Sequence, residues 1–201
     1  QKTLRASQYA EQVLSIHHID IEKDYAIDQF SQPLTTEQIF AVVQQTLQDI
    51  SDENTWMRAL RVLRARLMFR WIWQDANQLI DVMTLTRELS DFADAAICVA
   101  KEFALVPLIA KYGQPVGYNH KLQDLIVVAM GKLGAQELNL SSDIDLIFAF
   151  DEQGETDGRK CIDVQQFCIL WGQKLIYLLD HITADGFVFR VDMRLRPWGD
   201  G

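Results

Sequence analysis

The chain has 201 residues, 49% of them apolar and 23% charged, with 19 Lys and Arg against 28 Asp and Glu for a formal charge of −9. A length of this order buries roughly 70% of its unfolded surface, so a true core is expected. The acid excess excludes a protein that coats nucleic acid by charge alone, which needs the opposite sign.

The longest clean apolar run, Leu125 to Met130, falls far short of the ~20 residues of a membrane span. The start at Gln1 shows no apolar signal segment. Cys98, Cys161 and Cys168 form no CxxC pair and are odd in number. They read as reduced core thiols of a cytoplasmic protein, not as a disulfide scaffold. The end, Pro197 to Gly201, reads as a turn with no closing element, so a longer chain is expected.

In chain order, the first 55 residues are acidic, and His17-His18 near Asp20 and Glu22 reads as surface rather than as a metal site. Gln32-Pro33 breaks the pattern, and Thr35-Thr36-Glu37-Gln38 predicts a helix start, with Thr35 as N-cap and Gln38 closing a capping box. Ile39, Val42, Val43, Leu47 and Ile50 follow at helical spacing. Ser51 or Asp52 caps a second helix to about Trp73, with Leu60, Leu63, Leu67 and Trp71 as its stripe. A third helix covers roughly Thr86 to Tyr112, and Pro107 is expected to kink or split it. Arg58, Arg61, Arg64, Arg66 and Arg70 form a basic set on the second helix, read as solvated or paired within the chain. Trp56, Trp71, Trp73 and Trp171 read as core; His120 and His181 receive no role.

After Gly113-Gln114-Pro115 the pattern changes. Leu125 to Met130 is apolar and β-branched, and predicts a strand buried on both faces. Gly131 to Ser142 is a loop with a helical turn, Asp143 to Phe150 a second strand, and Asp151 to Lys160 a polar connection. Apolar residues from Val164 to Ile182 lie on one helical face. Phe187 to Leu195 is a third strand after the Asp185-Gly186 turn. The order strand, loop, strand, helix, strand predicts a small α/β sheet covered by helices, behind an all-helical region. The division is 1–113 helical and 114–201 core.

Asp143 and Asp145 are two apart on a predicted strand, so both carboxylates face one way while Ile144, Leu146 and Phe148 enter the core. Paired carboxylates repel unless a cation lies between them, and Mg²⁺ takes hard oxygen donors. Spacing alone does not separate this from a solvated strand face. The context adds weight: the pair begins a strand, and Gly131-Lys132-Leu133-Gly134 ends the preceding one. Glycines admit close approach of a phosphate to the backbone, and Lys132 reads either as its charge partner or as a solvated lysine. Farther on, Arg190, Asp192, Arg194 and Arg196 share one strand face. That face is either an anion site holding one carboxylate or an ion-paired surface.

Gly131-Lys132, then Asp143-Ile-Asp145, then Asp192 on a later strand resembles the DNA-polymerase-β-type nucleotidyltransferase superfamily. Its pattern is a Gly-[Gly/Ser] pair, a short spacer, Asp-h-[Asp/Glu] and a third carboxylate. The stretches Met130 to Phe148 and Gly186 to Pro197 further resemble the bacterial glutamine synthetase adenylyltransferase family. Within it, Asn139, Ser141-Ser142 and Arg190-Val-Asp-Met-Arg194 are similar to the N-terminal, AMP-removing copy of two catalytic domains. Arg64 to Arg70 and Arg87 to Asp94 resemble the segment before that copy. Ala135 departs from a usual Gly, and Lys132 from the superfamily's Ser or Gly.

The resemblance implies an α+β, polymerase-β-like fold: a small mixed sheet with helices. It implies Asp143, Asp145 and Asp192 as catalytic metal ligands, and Gly131, Lys132, Ser142, Arg194 and Arg196 as nucleotide or phosphate contacts. The cofactor implied is Mg²⁺, or Mn²⁺ in its place, and the substrates are phosphate and ADP, or ATP. The activity implied is phosphorolysis of adenylyl-tyrosine on glutamine synthetase, giving ADP; the alternative is ATP-dependent adenylylation of a protein tyrosine or small molecule. Glutamine synthetase and a PII-type regulator are the partners it implies, with no nucleic acid, no membrane and a cytoplasmic location.

Overall fold

Thr35, Asp52 and Asp81 start the helices that open the described part of the chain, residues 32–193 of this computed structural model. Helix α1, Thr36–Leu47, has the expected capping box: Gln38 N–H donates to the Thr35 hydroxyl and Thr35 N–H to the Gln38 amide oxygen. Its core face is Ile39, Val43 and Leu47. Helix α2 is Glu53–Ala76, capped by Asp52, whose carboxylate accepts from Thr55 N–H. Helix α3, Val82–Tyr112, is capped by Asp81 and begins four residues before the expected Thr86.

Pro107 does not split α3, which runs on to Tyr112. The proline is exposed near the C-terminal end, so its ring and its missing N–H disturb no core contact. Gly113, at φ +83°, ends the helix. From residue 36 to 112 the described chain forms no strand.

Two small sheets follow. Strand β1, Pro115–Gly117, pairs antiparallel with β4, Gly154–Thr156. Strand β4 fell within the stretch read as a polar connection, and β1 within one given no element. Each strand is three residues long, and a Cβ on Gly154 would lie 2.0 Å from the Val116 carbonyl oxygen, so glycine serves as a strand residue here.

The second sheet has the order β2-β3-β5, from Ile126–Met130, Ile144–Ala149 and Val191–Asp192. Strand β2 is antiparallel to β3, and β5 is parallel to it, so the sheet is mixed. The fold is α+β.

Strand β2 is not buried on both faces. It is an edge strand, and Ile126, Val128 and Met130 are 44%, 41% and 38% exposed. Among the described residues, helices cover only the other face. There Ile144 and Leu146 are fully buried, and Phe148 packs on helix α5, Val164–Asp180. A Cβ on Gly172 of α5 would lie 2.6 Å from the Phe148 ring, so glycine sets how closely helix and sheet approach. Trp171 fixes α5 to α3 by donating its indole N–H to the Lys101 carbonyl, at 2.8 Å.

The third strand is shorter than expected. Val188 and Phe189 N–H both donate to the Leu179 carbonyl at the end of α5, at 2.8 and 3.1 Å, so they cannot enter a ladder. The expectation for residues 194 and 195 lies outside the described residues, as do Arg196 and His17-His18. One apolar cluster runs from α1 through α5 and β3.

Of the cysteines only Cys168 is a core thiol, and burial pushes it up to about 11; Cys98 and Cys161 are exposed. All three are free. Trp56, Trp71 and Trp171 are buried as expected, and Trp73 is half-buried.

Candidate active site

The site forms where β2 ends and β3 begins. Met130, the last residue of β2, is also the N-cap of helix α4, Gly131–Gly134. Gly131 has φ +55°, a conformation that costs an L side chain about 1–2 kcal/mol. A Cβ there would lie 2.4 Å from Asp145 Oδ2. Position 131 is thus glycine for two reasons, and the second is the carboxylate itself. Leu133 is fully buried and pins the turn beneath the sheet. Ala135 has φ −86° and ψ −3°, ordinary right-handed backbone, so the departure from glycine there introduces no strain.

The rest of the loop is held from α3. Leu138 N–H donates to Ser90 Oγ at 3.1 Å, and Gln136 Nε2 donates to Asp94 Oδ2 at 3.1 Å. Burial pushes the Asp94 carboxyl above its ordinary range; the Gln136 bond opposes this and the Asp91 charge adds to it. Then Ser142 Oγ donates to Asn139 Oδ1 at 2.8 Å, and Lys132 Nζ lies 3.5 Å from Ser142 Oγ. Lys132 and Ser142 therefore meet across the loop.

Strand register brings in the carboxylates. Asp145 is the Cα partner of Met130 on one side and of Asp192 on the other. Partners on neighbouring strands share a sheet face, so Asp145 and Asp192 project together from the face the helices leave open. Asp143 lies one residue before β3, its side chain 46% exposed. Its Oδ1 accepts from Arg190 Nε at 2.5 Å, and Arg190 Nη2 donates to the Ser141 carbonyl at 3.1 Å. Among the described residues no three His, Cys, Asp or Glu side chains are gathered as a metal-holding group. The donors nonetheless suit a hard divalent cation: all are carboxylate oxygens, two of them on directly opposed strand positions. Arg194 and Arg196 lie outside the described residues.

The arginines of α2 were not recognisable as part of this site. Arg58 reaches Asp185 at 3.8 Å. Arg61 is 1% exposed and donates to the carbonyls of Gly186 at 2.8 Å and His181 at 2.6 Å. Arg64 stacks on Phe187, its guanidinium 5.2 Å from the ring centroid. Positions 58, 61 and 64 thus clamp the segment that delivers Arg190 and Asp192. The available signal was an arginine set in the middle of an apolar helix.

An Asp-h-Asp pair at a strand start, a carboxylate opposite it on the next strand and a Gly-Lys turn beside them form the pattern on which the sequence resemblance rests. The model of the glutamate-ammonia ligase adenylyltransferase family matches residues 2–201, and the chain belongs to that family of nucleotidyltransferase enzymes. It is 76% identical over its whole length to a bifunctional glutamine synthetase adenylyltransferase/adenylyl-removing enzyme of Acinetobacter baylyi, of which it spans 22%. Proteins of the same description from Thioalkalivibrio sulfidiphilus and Pseudomonas aeruginosa are 46% identical over 85% of the chain and 49% identical over 78% of it; these matches span 18% and 16% of those proteins. The chain therefore covers about a fifth of its relatives. No described helix is long and apolar enough to cross a membrane.

Proposed function

We propose that this chain carries the adenylyl-removing site of a bifunctional enzyme acting on glutamine synthetase. Residues 114–201 form the catalytic core, of polymerase-β-like fold, and the described helices of the region 1–113 buttress it. The observation that carries the reading is the register: Asp145 faces Asp192, with Asp143 two residues upstream and the Gly131-Lys132 turn against Asp145.

Inorganic phosphate attacks the α-phosphorus of tyrosine-linked AMP. One P–O bond forms to phosphate, the P–O bond to the tyrosine breaks, and the phenolate takes up a proton; the products are ADP and free tyrosine. Asp143, Asp145 and Asp192 would hold Mg²⁺, or Mn²⁺ in its place, which supplies charge screening for two anionic reactants. Lys132, Ser142, Arg194 and Arg196 bind and orient phosphate oxygens, and the Gly131 backbone approaches them closely. A phenol of pKa about 10 leaves without a strong acid, so positioning and charge suffice. The setting is cytoplasmic, with a PII-type regulator acting on the whole protein and no nucleic acid or membrane involved.

The relatives' names join both activities, which favours ATP-dependent adenylylation as the second reading. The test is Asp143→Asn or Asp145→Asn in the intact protein. Metal-assisted stabilisation is worth several kcal/mol, and each 1.36 kcal/mol is tenfold. Phosphate-dependent AMP removal should fall at least ~100-fold, with AMP attachment largely kept, because a separate copy of the site carries it. Loss of attachment with removal spared reverses the assignment; no change in either activity ends it.

A further inference from the structure

Arg190 is the residue that the proposed chemistry leaves unused. Its Nε lies 2.5 Å from Asp143 Oδ1, and its Nη2 donates to the Ser141 carbonyl. The Arg190 carbonyl accepts Ile144 N–H at 2.9 Å, which fixes its Cα beside the start of β3. The Phe187 ring, 5.9 Å from its guanidinium, flanks it. Both side chains of the pair are about half exposed, at 57% and 46%, so the pair opens without breaking the core.

Resting on the carboxylate reading above, we propose that Arg190 is a built-in counter-cation for Asp143, which a divalent metal must displace before Asp143 can ligate it. The guanidinium and the metal compete for one carboxylate. Like charges also repel, so the side chain raises the metal's dissociation constant. Once displaced, the guanidinium stays tethered at the site by its backbone bond. It then offers a planar fork of donors to an anion, for which inorganic phosphate is the probe. Metal and phosphate binding are thereby coupled, and the coupling is reciprocal.

The experiment titrates Mn²⁺ into the intact protein by electron paramagnetic resonance, with and without inorganic phosphate. Asp145→Asn identifies which Mn²⁺ class belongs to this site. Arg190→Gln should tighten that class by up to about fivefold, the range of an exposed ion pair, and abolish its strengthening by phosphate. Arg190→Lys keeps the charge and should stay within about twofold of wild type without phosphate, which controls for a general loss of folding. If Asp145→Asn removes a class whose affinity Arg190→Gln leaves unchanged or weakens, the counter-cation proposal is wrong and the carboxylate site stands. If Asp145→Asn removes no class, both readings fall.

Discussion

Asp145 and Asp192 stand directly opposite each other across the parallel pair of β3 and β5. Nothing in backbone pairing requires two acids there, and like charges at opposed positions cost stability. Asp145→Asn should therefore raise the stability of the metal-free protein by about 0.2–1 kcal/mol, read as a higher denaturant midpoint in EDTA, while it lowers Mn²⁺ affinity. A loss of metal-free stability would mean that the carboxylate is held by its surroundings and not opposed by them.

Gly131 and Ala135 give a paired prediction. Gly131→Ala places a Cβ 2.4 Å from Asp145 Oδ2 at φ +55°. Thermal or chemical unfolding should show a loss of about 2 kcal/mol or more, from the left-handed backbone plus the clash. Ala135→Gly, at φ −86°, should cost no more than about 1 kcal/mol. Equal effects at the two positions would refute the role assigned to the turn.

What could be read without coordinates follows the range of the interactions involved. Caps and apolar periodicity are local, so Thr35 and Asp52 appear in their own few residues of sequence, and so does the alternation around Asp143 and Asp145. The opposed placement of Asp145 and Asp192 was legible only because the motif resembles a known pattern; their register depends on residues 47 apart in sequence. The β1–β4 pair was missed because glycine and short length erase the strand pattern. The open face of β2 was misread because a β-branched run looks the same on an edge strand as in the middle of a sheet. Arg61 was read as solvated or paired within the chain; the second holds, but its partners are three backbone carbonyls, which carry no sequence signal.

That burial makes Arg61 the test of how β5 is delivered. Arg61→Met keeps the apolar stem but strips its bonds from the carbonyls of Met57, His181 and Gly186. The Met57 carbonyl keeps its helix bond and the Gly186 carbonyl its bonds from Thr183, so the cost falls mainly on the His181 carbonyl. The expected loss is about 1–3 kcal/mol, that of one unpaired acceptor. Amide hydrogen exchange should quicken first at Val188 and Phe189, the amides bonded to Leu179 just after this clamp. If exchange quickens uniformly, the clamp is a general core contact with no special bearing on Asp192.

The last prediction concerns acid behaviour at the loop support. Burial lifts the Asp94 carboxyl above its ordinary range, against the pull of the Gln136 bond. The folded protein therefore binds this proton more tightly than the unfolded chain does. Its contribution is fully present below the unfolded carboxylate range and is lost as pH rises through the raised folded value. Asp94→Asn keeps an acceptor oxygen for Gln136 Nε2 but does not titrate. Plotted against pH, the stability of wild type relative to Asp94→Asn should decline from the ordinary carboxylate range upward, and level off once Asp94 is ionised in both states. Glu88, lifted likewise by burial and opposed by bonds from Trp71 and Leu34, remains in both proteins and cancels from the comparison. Denaturant midpoints at a series of pH values supply the curve. A flat difference would show that Asp94 titrates alike in the folded and unfolded chain. A difference that grows with pH would mean the Gln136 bond outweighs burial, so that Asp94 holds the Gly131–Ser142 loop as a stabilised anion.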